Sequence, residues 1–330
     1  MKARIQLLPG DGVGPEVIEQ ARRALMAVGG LFGHKFSLLE GLIGSTAKAA
    51  TGSALPADTV SACRVCDAVL VGAVDDDVAG CMRELSQRCE VQTCKMPVKA
   101  SHLTGVDTLI IRNRWLVGAW GGREDGGTDE PVGPTRSIGV IRAAFREALR
   151  RRCRLAVMDS QESLTRLVDQ VSEGYPDVVL EYLELMEGAR RLVEHPASFD
   201  VILGCDKGQD ILHRQATIVA GSPGTLPTAT LGEGTFGIYE PAHGPVSPMA
   251  GLNRANPTAA LLSAALLLRH SLELFKEARS LEIAVAVALN KGSVTADLAD
   301  DPTRVLGTRQ FGDAVLAQLP RMAAMAQGRA

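Results

Sequence analysis

Ala3 to Leu8 alternates poorly but is apolar enough for a buried parallel strand; it ends in the glycine-rich PGDGVGPE of Pro9 to Glu16, after which apolar residues recur at helical spacing through VIEQARRALMAV. A strand buried on both faces needs the first pattern, and an amphipathic helix needs the last. The sequence therefore predicts strand, tight loop and helix in succession. Glycines permit the sharp turn, Pro15 suits a first helical turn, and Glu16 complements the positive end of the helix dipole. The loop alone identifies no ligand, because its glycine spacing is not the GxGxxG of dinucleotide-binding turns.

The same alternation continues along the chain. A helix beginning after ATGSALPADT leads into a strand at Ala68 to Val74, and another strand is predicted at Thr108 to Arg112. A helix follows from Ile138 to Arg152, ending in basic residues. Beyond it come a strand at Leu155 to Asp159, a helix at Ser163 to Glu173, and strands at Val178 to Leu183 and Asp200 to Leu203. Strands alternating with helices imply an α/β fold with a mainly parallel sheet. The acidic, glycine-rich REDGGTDEPVGP of Arg123 to Pro134 reads as an exposed loop. There is no internal repeat.

Composition narrows the function classes. With 330 residues, 46% of them hydrophobic, the chain is long enough for two ordinary domains. A net charge of -3, with Lys and Arg scattered among acids, offers no field for a polyanion, so nucleic acid is not an expected partner. No signal-like or membrane-length apolar segment is read, and a cytoplasmic protein without a membrane partner is expected. The seven cysteines are expected as free thiols; Cys63 and Cys66 form a CxxC, but no second pair at zinc-ligand spacing follows.

Three stretches carry a family resemblance. They are LLPGDGVGPEV with ATGSALP and AVLVGAV; DVILGCDKGQDIL with AGSPGTLPTATLG; and GIYEPAHGPVSPMAGLNRANPTAALLSAALLLRH, backed by TADLADD and GTRQFGDAV. In these the chain resembles the isopropylmalate/isocitrate dehydrogenase family, the metal-dependent β-decarboxylating dehydrogenases, as a divergent member. The resemblance implies a two-domain isopropylmalate dehydrogenase-like α/β fold with a mainly parallel sheet and an interdomain cleft. Residues 1–98 and 222–330 would form the nucleotide-side domain, and 99–221 the substrate-side domain that joins subunits. It also implies a homodimer or a hetero-oligomer with a related subunit, and a cleft that receives NAD or NADP, a divalent cation and a 2-hydroxy acid.

Carried over position by position, the resemblance keeps some groups and replaces others. Of three cation-binding carboxylates only Asp210 is retained; Arg214 stands in place of the second, and Met186 in place of the one a partner subunit would supply. Mg²⁺ or Mn²⁺ is therefore not expected to bind. The general acid/base lysine aligns with Ser160 and the enol-protonating tyrosine with Val132, and neither replacement titrates usefully near neutrality. One substrate arginine aligns with Met96, and another falls in a shortened stretch between Lys99 and Val106; Arg123, in a rearranged loop further on, is a displaced candidate. On the nucleotide side Gly12, His243, Gly244 and Asn256 are kept, but the acid that accepts ribose hydroxyls is replaced by Pro248, followed by Met249, and the acid facing the nicotinamide aligns near Ala79. NAD or another adenine nucleotide is expected with weakened anchors.

Two functions follow. In the first the chain is catalytically silent in standard oxidative decarboxylation and acts as a regulatory or structural subunit or binding protein, because groups that act as a unit are hard to replace together. In the alternative it is an active NAD(P)-dependent, 3-isopropylmalate dehydrogenase-like oxidoreductase with re-sited residues such as Lys207, Asp210 and Ser160.

Overall fold

A computed structural model describes residues 1–74, 78, 85, 91–95, 106–112, 134–158, 162–204, 208–232 and 234–328. The chain divides into two compact units: a terminal unit of Met1–Cys89 with Gly221–Ala330, and a middle unit of Glu90–Ala220.

In the terminal unit the strands are ordered β2 (Lys35–Glu40), β1 (Lys2–Gly10), β3 (Ala68–Ala73), β10 (Gly237–Pro241) and β9 (Pro227–Leu231). The first four are parallel, and β9 runs antiparallel to β10. The two-residue period of a strand sorts the side chains. Ile5, Leu7, Ala68, Leu70 and Tyr239 face a core shared with α1 (Gly14–Phe32), α8 (Thr258–His270), α9 (Phe275–Asn290) and α10 (Thr308–Ala326). Leu8, Val69, Val71 and Ile238 face the other way, toward Ile43, Val60 and Cys63 around α2 (Gly44–Thr51) and α3 (Ala57–Arg64). Burial on both faces explains the unbroken apolar run in β3 and the mostly apolar β1, which Arg4 and Gln6 interrupt. Pro15 lies in the first turn of α1, as its fixed φ favours. The Cys63 thiol is buried, which pushes its pKa up to about 12, and Cys66 is raised for the same reason. Both are free; buried, protonated thiols of this kind are poor nucleophiles.

In the middle unit the order is β4 (Val91–Lys95), β5 (Leu109–Arg112), β8 (Val201–Gly204), β6 (Arg154–Met158) and β7 (Val179–Leu183), with β4 antiparallel to β5 and the others parallel. One face, through Leu109, Ile111, Leu155, Val157, Val201 and Leu203, packs on α4 (Pro134–Leu149) and α5 (Glu162–Ser172). On the other face lie α6 (Leu185–Glu194) and α7 (Gly208–Val219), with Gly188 so close to Met158 that a Cβ would sit 2.6 Å from its sulfur. The helix expected to reach Arg152 ends instead at Leu149. Asp200, whose side chain is fully buried, accepts from Arg151 Nε at 2.9 Å and from the Arg152 amide at 2.9 Å, which draws the basic segment into a turn. Among the described residues no helix is long and apolar enough to cross a membrane.

Candidate functional site

Two loops of the terminal unit are clasped together. The Asp11 amide donates to the Ala73 carbonyl at 2.7 Å, and the Val13 amide to the Pro245 carbonyl at 2.8 Å. Between them Gly12 has φ 56°, and a Cβ there would lie 1.9 Å from the Pro245 oxygen. Only glycine permits this approach. Asp11 is buried and committed to structure: each carboxylate oxygen accepts from the Ser45 amide at 2.9 Å, and one also accepts from Ser45 Oγ at 2.5 Å. It thereby caps α2, whose own preceding residue, Ile43, has no capping side chain.

The segment beyond β10 carries His243 and leads to Asn256. The half-buried His243 ring places Nδ1 2.9 Å from the Gly244 carbonyl, an acceptor, so Nδ1 is assigned the hydrogen and Nε2 keeps a lone pair. Burial pushes its pKa below the ordinary histidine value, against the smaller opposing pulls of the Gly244 carbonyl and the Asp297 charge. Near neutrality the imidazole is uncharged. Asn256 is buried and used at both ends: Oδ1 accepts from the Thr258 amide at 3.0 Å, capping α8, while Nδ2 donates to Asp297 Oδ2 at 3.0 Å. Asp297 also accepts from Ser222 Oγ, and from Thr295 Oγ1 at 2.5 Å. It is the hub that ties three segments. Its place in TADLADD is legible, but its partners are not.

Ser247–Met249 form a short 3-10 turn entered through Val246 at φ 44°. A β-branched residue in that region stores strain of about 1–3 kcal/mol. Pro248 is exposed, so no carboxylate stands at this position. The site thus offers a neutral nitrogen acceptor, an anchored carboxylate and no cation from these residues, an acceptor set suited to an amino-bearing ring more than to a phosphate.

The middle unit holds the other candidates. Met186 is 63% exposed at the start of α6, its amide capped by the Glu184 carboxylate at 2.9 Å. Arg214 is exposed on α7. A thioether and a guanidinium supply no hard oxygen for Mg²⁺ or Mn²⁺, so these two positions do not fit such an ion. Among the described residues no group of three or more His, Cys, Asp or Glu is arranged to hold a metal. Asp210 lies in the first turn of α7, but its side chain is outside the described residues, as are Ser160, Val132, Lys207, Ala79, Met96 and Arg123.

Comparison with known proteins gives a consistent picture. The profile of the isocitrate/isopropylmalate dehydrogenase family matches residues 4–91 and 77–315. The 3-isopropylmalate dehydrogenase of Priestia megaterium is 35% identical, over 96% of this chain and 96% of its own. That of Aquifex aeolicus is 33% identical, over 97% and 98%. Among solved structures, isocitrate dehydrogenase from Methylococcus capsulatus superposes with a TM-score of 0.83 at 23% identity, covering 96% of this chain and 99% of that one, a likeness of fold. The apo form of a β-decarboxylating dehydrogenase from Thermococcus kodakarensis gives 0.81 at 26% identity, over 98% of each chain.

Proposed function

Since this chain belongs to the isocitrate/isopropylmalate dehydrogenase family, we propose that it binds NAD or another adenine nucleotide without the metal-dependent oxidative decarboxylation, and serves as a regulatory or structural subunit of a homodimer or hetero-oligomer. The observation that carries this reading is Arg214, exposed on α7 where the family resemblance sets a cation-binding carboxylate. A guanidinium repels a divalent ion instead of holding it. Met186, also exposed, adds no oxygen donor. No step is therefore assigned to a metal.

The nucleotide side is better kept. His243 Nε2 would accept from an amino group of the base, Asn256 and Asp297 brace the segments around it, and Gly12 and Pro245 hold the two loops at their spacing. NAD, when bound, supplies a hydride acceptor; the residues named here only hold its adenine end. Without an acid at Pro248 the ribose hydroxyls lose a charged acceptor worth about 1.5–3 kcal/mol, so affinity falls roughly 10- to 100-fold below that of a family member that keeps it.

A second reading, an active dehydrogenase with re-sited Lys207, Asp210 or Ser160, draws support from the 35% identity to a protein named 3-isopropylmalate dehydrogenase. Calorimetry with NAD, NADP and ADP, beside a spectrophotometric assay with isopropylmalate, isocitrate and malate in the presence of Mn²⁺, separates the two. Nucleotide binding without turnover supports the first. Turnover abolished by Asp210→Ala or Lys207→Ala establishes the second.

A further inference from the structure

We propose that β7 pairs with β7 of a second copy of this chain, antiparallel about a two-fold axis at Glu181, and joins two middle-unit sheets into one. β7 stands at the end of the strand order and is bonded to β6 alone. The Val179 amide donates to the Cys153 carbonyl at 2.8 Å, in a parallel register that sets Arg154 beside Val179. The backbone groups of Val179, Glu181 and Leu183 are therefore turned toward β6, and the alternation of a strand turns those of Leu180 and Tyr182 outward. Among the described residues no strand receives them.

An edge of this kind is a template for another chain unless something guards it, and soluble proteins guard edges with lysine, proline, bulges or a cover. β2, the edge strand of the terminal unit, begins at exposed Lys35 and ends at exposed Glu40. VLEYL of β7 has neither lysine nor proline, and its Val and Tyr favour strands. Its one charge, Glu181, accepts from Arg191 of α6 at 2.5 Å. Val179 and Tyr182 are 61% and 42% exposed, one on each face of the strand. The Tyr182 ring is held by its hydroxyl, which donates to Asp169 of α5 at 2.5 Å. The edge thus presents apolar side chains on both faces and outward backbone groups between them.

A second copy fits the whole edge. With Glu181 on the axis, Leu180 lies opposite the partner's Tyr182, and residues so placed exchange both N–H to C=O bonds, so every outward backbone group of β7 is satisfied. The same register sets the Tyr182 ring beside the partner's Leu180 on the α5 side, and Val179 beside the partner's Leu183 on the α6 side. Aromatic and aliphatic cross-strand pairs of this kind stabilise a ladder. The two Glu181 carboxylates meet at the axis, where like charges oppose pairing, but each brings the Arg191 guanidinium that neutralises it. A parallel copy would leave one edge open to a third chain, whereas the two-fold antiparallel pair closes on itself.

No residue of β7 belongs to the nucleotide loops, so the contact stands or falls apart from the nucleotide-binding reading. The test compares the full-length protein with Val179→Lys, which sets a guarding lysine at an exposed position, and Leu180→Pro, which removes an outward amide and no bond to β6. Sedimentation velocity at equal concentrations is expected to show the unmodified chain in an assembly twice the size of that formed by either variant. Circular dichroism checks folding, and Val179→Lys carries the comparison if Leu180→Pro does not fold. Cross-linking reads the register, because non-hydrogen-bonded partners in an antiparallel pair have Cα atoms about 4.5 Å apart, within reach of a disulfide. Oxidised glutathione is expected to convert Glu181→Cys into a covalent dimer bridged at 181, located by peptide mass mapping. A mixture of Val179→Cys with Leu183→Cys should give a mixed dimer, and Val179→Cys alone no bridge at 179. Equal assembly size in the unmodified chain and Val179→Lys overturns the proposal, as does a bridge at 181 no more frequent than one at 179.

Discussion

Replacing Gly12 by alanine sets a methyl group 1.9 Å from the Pro245 carbonyl oxygen, where ordinary contact begins at 3.4 Å. One loop must retreat by about 1.5 Å, because repulsion rises too steeply to be absorbed in place. The 2.8 Å bond from the Val13 amide to that oxygen is then lost. A lost hydrogen bond costs about 1 kcal/mol, the φ of 56° about 1 kcal/mol for an L residue, and the local repacking about 1–3 kcal/mol. The total is about 3–5 kcal/mol. Gly52→Ala is the control: its φ is 80°, but nothing lies within 4 Å of its Cβ, so only the conformational part of about 1 kcal/mol applies. For a unit of this size each kcal/mol lowers Tm by about 2–4 °C. Scanning calorimetry should show Gly12→Ala melting about 6–20 °C lower and Gly52→Ala about 2–4 °C lower. Titration calorimetry with NAD or ADP should show binding lost in the first and kept in the second. Equal losses of Tm, or undiminished nucleotide affinity in Gly12→Ala, would refute the clasp.

Other perturbations test separate links. Asp297→Asn turns an acceptor shared by Ser222, Asn256 and Thr295 into a group that must also donate; because the site is partly open to solvent, a loss of about 1–3 kcal/mol and weaker nucleotide binding are expected in chemical denaturation and titration. Asp200→Ala leaves Arg151 and two backbone amides without their buried acceptor, and should cost about 3–5 kcal/mol in the same denaturation assay. His243 has its pKa lowered by burial, so the folded state binds fewer protons than the unfolded one below the ordinary value of about 6.5. Its contribution is therefore complete above that pH and is lost on acidification toward the lowered folded value, with a slope of at most about 1.4 kcal/mol per pH unit. His243→Gln should flatten that part of the stability profile, and an unchanged profile would contradict the assignment of a neutral, buried ring.

What was legible in the sequence is what local residues decide. A mostly apolar stretch gave β1, an unbroken apolar run gave β3, and Pro15 marked the start of α1, because burial on two faces and a fixed φ leave direct traces. β2, β9 and β10 escaped: KFSLLE, PTATL and GIYEP are short and mixed in polarity, and their pairing partners are distant in the chain. The end of α4 was misplaced for a related reason, since Asp200, which bends the basic segment, lies 49 residues beyond Arg151. Asp297 was visible as part of a motif but not as a hub, because Ser222 and Asn256 are 75 and 41 residues away. Spacing in sequence carries no record of such contacts.

Retained motifs and retained chemistry answer to different forces. The PGDG loop and the segment after β10 are tied by backbone bonds and a close contact at Gly12, and Asn256 caps a helix, so the fold needs these residues with or without a ligand. Positions 186 and 214 carry no such burden, since both are exposed and neither side chain is part of a core. Replacing both with acids should therefore change stability by only about 0.5 kcal/mol or less. It should also create what the native side chains deny: with Asp210, which the family resemblance sets beside them, Met186→Asp and Arg214→Asp complete an oxygen donor set for a hard cation. Electron paramagnetic resonance of Mn²⁺ titrated into the unmodified chain should show only free ion, whereas the double variant should deplete that signal as its subunits associate. Depletion by the unmodified chain to the same extent would mean that the cation is held by other groups, and that the guanidinium at 214 is no barrier to it.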